Sequence, residues 1–210
     1  MTLWHTQKTK LFLAWIFANA IGGFLVGFLE SNGAQFLATL FLSGAILGTS
    51  QWLIFRGLNA KGLRWTLWPV VSALGWITGV MLSLLVSPIK DAVLSPLQDS
   101  AWELFWSNLI SQPMYIFGMA IAQGMILSYH ARHRLRAIGV WLLASCLGAA
   151  LHGAIAVLLC RSVCQTLPRA LIGIIDSKGW GLYGIITGIA LLWVLPNKAI
   201  GGKSPVAQPD

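Results

Sequence analysis

Apolar residues run through this chain in long stretches broken by short polar loops, and the stretch lengths predict membrane-crossing helices. The first covers residues 11–29 and is closed by the turn signal Glu30-Ser31-Asn32-Gly33. The second covers 36–55. A loop carrying Arg56, Lys61 and Arg64 leads to the third, 67–86, with Pro69 in its first turn, where a missing N–H breaks no helical bond. Residues 87–99 are the longest connection and contain Pro88 and Pro96. Ser100 and Glu103 then have capping-box spacing, which predicts a helix starting there with Trp102 and Trp106 at the interface. Pro113 kinks or restarts that helix, and the fourth stretch runs over 113–129. The fifth, 138–159, follows the basic loop from His130 to Arg136. A polar loop with Pro168 precedes the sixth, whose core is 179–195 because Asp176-Ser177-Lys178 interrupts an earlier start. Residues 1–196 thus read as one membrane domain, and 197–210, rich in Gly, Pro and Lys, as a flexible polar tail.

Composition agrees. Of 210 residues, 57% are hydrophobic and 10% charged, with a mean hydropathy of +0.75; a soluble domain carries about 25% charged residues. The formal charge of +8 is explained by positive-inside bias and does not call for nucleic acid. Ala18-Asn19-Ala20, behind Lys8 and Lys10, has the small-x-small form of a signal cleavage site. The apolar run continues to Leu29, however, so the segment is expected to stay as a span.

Charge also predicts sidedness. With the N-terminus inside, the inner segments hold Lys8, Lys10, Arg56, Lys61, Arg64, Arg132, Arg134, Arg136, Lys198 and Lys203, ten of the fourteen Lys and Arg, against the single acid Asp210. The outer segments hold Lys90, Arg161, Arg169 and Lys178 with Glu30, Asp91, Asp99, Glu103 and Asp176. Six spans with both termini cytoplasmic, in a bacterial inner or internal photosynthetic membrane, satisfy this asymmetry.

A repeat underlies the pattern. Trp15-x3-Asn19-x2-Gly22, Trp68-x3-Ser72-x2-Gly75 and Trp141-x3-Ser145-x2-Gly148 each open an odd-numbered span. On a helix these spacings place an aromatic, a small hydrogen-bonding residue and a glycine on one face. The even spans echo each other: Gly44-x3-Gly48-x2-Gln51 resembles Gly184-x3-Gly188-x2-Leu191, and the fourth span has Gln123 for Gln51 and Ala120 for Gly48. The expected fold is all-α and polytopic, with three hairpins, 11–55, 67–129 and 138–195, around a pseudo-threefold axis along the membrane normal.

Few residues carry chemistry. The stripes suit helix packing, in which small residues allow close approach and Ser, Asn and Gln bond across helices. They also suit a small polar pocket near the inner third of the bilayer, lined by Asn19, Gln51, Ser72, Gln123 and Ser145. His152 lies eleven residues after Trp141, about 20° from the same face, where the other repeats have Val26 and Gly79. It is either a neutral core histidine or an axial ligand to a haem iron or chlorophyll magnesium. Trp4, Trp65, Trp68, Trp102, Trp106 and Trp180 are placed in an interfacial belt; Trp15, Trp76 and Trp141 suit packing or a ring-shaped lipophilic ligand. Arg132, Arg134 and Arg136 fix topology or meet anionic lipid headgroups or an acidic partner. Cys160 and Cys164, at the outer end of the fifth span, could pair in an oxidising compartment if the helix frays there, although i, i+4 on a regular helix is poor disulfide geometry, and Cys146 is expected to be buried. No metal signature and no catalytic motif is present, so no enzyme is expected.

A triple two-helix repeat invites comparison with the mitochondrial carriers, but their Pro-x-acid-x-x-base signature is missing after Pro69. In size, span number and Trp content the chain is similar to the substrate-binding subunits of energy-coupling-factor transporters. That likeness implies a partner face at Gly23-x3-Gly27. The Gln51-Trp52 and Trp-x3-Ser-x2-Gly patterns most resemble small Trp- and Gly-rich multi-pass bacterial proteins of uncharacterised function, which bring no activity with them. The expected function is a non-enzymatic accessory or scaffold subunit that binds lipids, a membrane-protein partner or a second copy of itself. The alternatives are a small-molecule-binding subunit or carrier, and a pigment or haem protein using His152.

Overall fold

A computed structural model describes residues 2–57, 63–98 and 100–195; the side chains of Trp4, His5 and Arg64 lie outside that description, as do Lys61, Asp99 and the tail 197–210. Among the described residues every regular element is helical. The long ones are α1 (Thr2–Leu29), α2 (35–57), α3 (Trp68–Leu94), α4 (Glu103–Ser128), α5 (Arg134–Val163) and α6 (Gly173–Val194). Four stretches are long and apolar enough to cross a membrane: Thr6–Gly57, Trp68–Leu97, Glu103–Ser128 and Arg134–Val163. The first is folded back on itself. Asn32 leaves helical geometry and Gly33 takes φ 93°, a left-handed conformation that glycine adopts without a Cβ clash. The turn lays α2 antiparallel against α1.

Each helix packs on its neighbours in the chain, and α6 returns to α1, which closes a ring. Polarity in this ring is inverted relative to a water-soluble bundle. Phe17, Leu85 and Leu143 are 64%, 78% and 70% exposed, whereas Asn19, Gln51, Ser72, Gln123 and Thr187 are fully buried. Such an apolar exterior is stable only in an apolar solvent. With the long apolar helices, it marks a membrane protein.

Several boundaries differ from the sequence expectations. α3 runs through Pro88 to Leu94, and α4 runs unbroken through Pro113. Each proline removes one backbone bond, and packing against neighbouring helices holds the rest in register. α6 begins at Gly173, upstream of Asp176-Ser177-Lys178, so these polar residues form its first turns and do not interrupt it. The Ser100–Glu103 capping box is not formed. Trp102 occupies the N-cap position, and the Ser100 hydroxyl accepts the Trp102 N–H at 3.3 Å. The tryptophan belt is smaller than expected: Trp102 and Trp106 are exposed, but Trp65, Trp68 and Trp180 are buried in the core. Cys160 and Cys164 form a disulfide with a Cα–Cα distance of 4.6 Å. The pairing is possible because the helix ends between them, at Val163. Cys146 is half-buried.

Candidate functional site

The three repeat tryptophans meet at the centre of the ring. Ring centroids of Trp15, Trp68 and Trp141 are 6.2, 6.0 and 6.1 Å apart, with interplanar angles of 76°, 71° and 71°. All three are fully buried. Around them runs a polar network. Trp68 Nε1 donates to Gln51 Oε1 (2.9 Å), and Trp15 Nε1 donates to Thr187 Oγ1 (3.0 Å). Gln51 Nε2 donates to Asn19 Oδ1 (2.8 Å). Gln123 Nε2 donates to both Gln51 Oε1 (2.9 Å) and Ser72 Oγ (2.8 Å). Asn19 and Ser72 turn their own donors back to the carbonyls of Trp15 and Trp68, one turn earlier.

This geometry corrects the register of the even-span echo by one turn. Gly48 seats Ser72, and Gly184 seats Asn19. Gln51 and Thr187 therefore play the same part, each accepting an indole proton from the next repeat. The motif glycines have a separate task. Gly22 faces Leu47 and Ser50, Gly75 faces Gly118 and Met119, and Gly148 faces Tyr183. Each admits the even-numbered helix that follows it in the chain. The stripe residues thus fill the space between helices with one another's side chains.

The network is incomplete on one side. Trp141 Nε1 and Gln123 Oε1 are buried without hydrogen-bond partners, and the nearby Ser145 and Tyr183 hydroxyls have none but each other. Phenylalanine at position 68 removes a made bond, whereas phenylalanine at 141 removes an unpartnered donor. Trp141→Phe is therefore expected to cost about 1–2 kcal/mol less than Trp68→Phe, read as the difference in unfolding free energy in detergent.

Beyond the tryptophans, toward the Glu30 end of the bundle, lies a polar cavity of about 190 Å³ lined by residues of all six helices and the Glu30 turn. Its acids are Glu30 and Asp176. The Thr39 hydroxyl donates to Glu30 Oε1 (2.9 Å), and Trp76 donates its indole N–H to the Thr39 carbonyl (2.7 Å). Thr39 lies in a π-helical turn, Ala38–Leu42. Such a turn carries one extra residue and shifts the backbone bonding, which leaves a carbonyl for an outside donor. The aromatic wall is continuous. Tyr115 and Trp180 each lie 6.4 Å from Trp76, and His152 lies 4.5 Å from Trp180. His152 is 5% exposed and lines the cavity, and its Nδ1 has no hydrogen-bond partner. Gly23 and Gly27 pack against Trp180 and Asp176. The small-residue face expected to meet a partner is therefore used inside the chain, to seat α6.

Burial raises the pKa of Glu30, and the Thr39 hydrogen bond partly offsets this. Asp176 stands in the first turn of α6, before its apolar core. Burial, and secondarily the Glu30 charge, raise it from 3.8 to about 7. A raised carboxyl pKa favours the protonated folded state. This contribution is full below pH 3.8 and lost as pH rises through about 7. The melting temperature in detergent is expected to fall across that window, and Asp176→Asn to flatten the fall.

Of the three basic residues singled out in the sequence, Arg132 and Arg136 line a second cavity of about 220 Å³ with His133 and Trp193. The Arg136 guanidinium lies 4.6 Å over the Trp193 ring. Arg134 is turned away, 5.5 Å from the Tyr129 ring. Among the described residues no group of three His, Cys, Asp or Glu could hold a metal ion.

Sequence reasoning singled out His152 and Trp76 but missed Glu30, Asp176, Thr39 and Trp180 as one set. Glu30 carried a signal: it is four residues after Val26, the position matching His152, and so extends the same face. The chain matches no protein-family model, and no similar curated protein or solved structure was found.

Proposed function

We propose that the chain is a non-enzymatic membrane protein of six spans that binds a small molecule in the Glu30–His152–Asp176 cavity, as a binding subunit or carrier. The six spans are the five helices within the four apolar stretches plus α6. The three hairpins 11–55, 67–129 and 138–195 stand around a pseudo-threefold axis through the tryptophan trio. The near-equal ring spacings and the matched seats at Gly48 and Gly184 support this symmetry. The excess of Lys and Arg in the opposite loops supports placing the cavity on the outer side. The disulfide is at the same end, as suits an oxidising compartment.

One observation carries the binding role: a polar cavity on the axis, built from every long helix and lined by two carboxyl groups, two side-chain amides and a buried histidine ring. Packing alone does not need such a space, because unpartnered polar groups are costly in an apolar surround. The tryptophan trio closes the other end, so this form admits a ligand from the outer side only. A haem or chlorophyll on His152 is not favoured. About 190 Å³ lies below the ~300–1,000 Å³ of ordinary ligand pockets, and the ring is pressed against Trp180.

The test is non-denaturing mass spectrometry of the protein taken from its own membrane in mild detergent. A stoichiometric small molecule is expected, lost in Ala156→Trp, which fills the cavity. Co-purifying polypeptides without any small molecule would instead support the accessory subunit.

A further inference from the structure

We infer that the outer cavity takes a small organic ammonium ion. This rests on the proposed binding role of the same cavity and narrows it to one chemistry. Two carboxyl groups, Glu30 and Asp176, face the space, and no lysine or arginine lines it. The ligand that balances them is a cation. Its walls choose among cations. Trp76, Trp180 and Tyr115 line it, and aromatic rings attract an alkylammonium through cation–π contact and bury its carbon atoms. A bare metal ion would need converging ligands, and no three candidate groups converge among the described residues.

His152 is 5% exposed and lines the cavity with its ring, while its unpartnered Nδ1 is turned onto Gly179 of α6. An ammonium group is a donor with up to three N–H bonds to give. The cavity supplies acceptors from several sides: the carboxyl of Glu30 in the turn after α1 and that of Asp176 on α6. It also supplies the side-chain amides of Asn108 and Gln112 on α4. An anion would meet two acids and no basic side chain there, and a neutral apolar molecule would leave all of these acceptors unpaired.

Isothermal titration calorimetry on the full chain in detergent tests this. The probes are ethylammonium, tetramethylammonium and 1,4-diaminobutane, with sodium, succinate and 1,4-butanediol as comparators. Saturable binding of at least one ammonium probe is expected, at least tenfold tighter than sodium. Glu30→Gln and Asp176→Asn, both of which keep side-chain shape, should each weaken it about tenfold, with the melting temperature reporting that the variants fold. No binding of any ammonium probe, unchanged affinity in the two variants, or sodium binding as tightly overturns the inference. Binding of succinate or butanediol in its place, lost in Ala156→Trp, would overturn the cation while the small-molecule role stands. A native mass spectrum with no bound molecule, and no probe binding, would remove both.

Discussion

Replacing Gln51 by leucine is expected to destabilise the protein by about 3 kcal/mol, more than one hydrogen bond is worth. Leucine is close to glutamine in size, so packing changes little. What changes is the network. Gln51 is its hub: it donates to Asn19 Oδ1 and accepts from both Trp68 Nε1 and Gln123 Nε2. Leucine leaves the Trp68 indole N–H and the Asn19 carbonyl oxygen buried and unpaired, at about 1–3 kcal/mol each. Interhelical bonds in membrane proteins fall at the low end of that range, because the unfolded chain in lipid also finds partners. Gln123→Leu is the control. It removes two donated bonds, but Gln51 Oε1 keeps Trp68 and Ser72 keeps its bond to the Trp68 carbonyl. Its expected cost is nearer ~1 kcal/mol. Equilibrium unfolding of both variants in mixed detergent decides the point, and equal costs would mean that Gln51 is not the hub.

The tryptophan trio was legible in the sequence because it is written in side-chain identity at helical spacing. Trp15, Trp68 and Trp141 stand out by size, and the Asn/Ser and Gly that follow each lie on the same face. The even-helix register was not legible. Gln51 and Thr187 do the same job with different side chains, one an amide and one a hydroxyl, so identity matching slid the sixth span by one turn onto Gly188 and Leu191. The cavity was harder still. It depends on a π-helical turn at Ala38–Leu42, where one extra residue brings Thr39 to Glu30, and side-chain periodicity does not report a backbone bulge. It also depends on Glu30 and Asp176 meeting across the first and last long helices. In sequence Asp176 is only an acid beside a loop, as Asp91 is, and nothing but the Val26 spacing sets Glu30 apart.

Function and packing meet at those same places. The tryptophan end of the bundle is filled with tryptophan, amide and hydroxyl groups, most of which bond one another, while the Glu30 end keeps carboxyl groups and a histidine around open space. A bundle selected for packing alone would fill both halves alike. The asymmetry follows from the repeat positions. Eleven residues after each Trp stand Val26, Gly79 and His152. Val26 and His152 line the cavity, whereas Gly79 lets α3 close onto the Tyr115 backbone of α4 beside it.

The seam between α3 and α4 holds the wall of that space, and Gly79→Ala is expected to cost about 3 kcal/mol or more. A Cβ at Gly79 would strike the backbone carbonyl of Tyr115, and its next neighbours, the Tyr115 carbon and Met114 oxygen, are 2.9 and 3.1 Å away. These are backbone atoms of a helix and have no rotamer to escape into. Gly118 presses on the Gly75 carbonyl from the other side, so the two helices touch main chain to main chain. A methyl group there can be accommodated only by moving one helix away from the other. Gly139→Ala gives the contrast: nothing lies within 4 Å of its added Cβ, and alanine should gain up to about 1 kcal/mol from helix propensity alone. Binding should follow stability at Gly79. Trp76 sits one turn earlier on α3, and Tyr115 and Gln112 stand on α4, all three in the cavity wall. Separating the helices pulls these walls apart, so any Gly79→Ala protein that still folds should bind ammonium probes more weakly than wild type. Unfolding free energy and calorimetric affinity, measured on the same preparation, check both halves. Wild-type affinity in a destabilised Gly79→Ala protein would show that the seam holds the fold together without positioning the site.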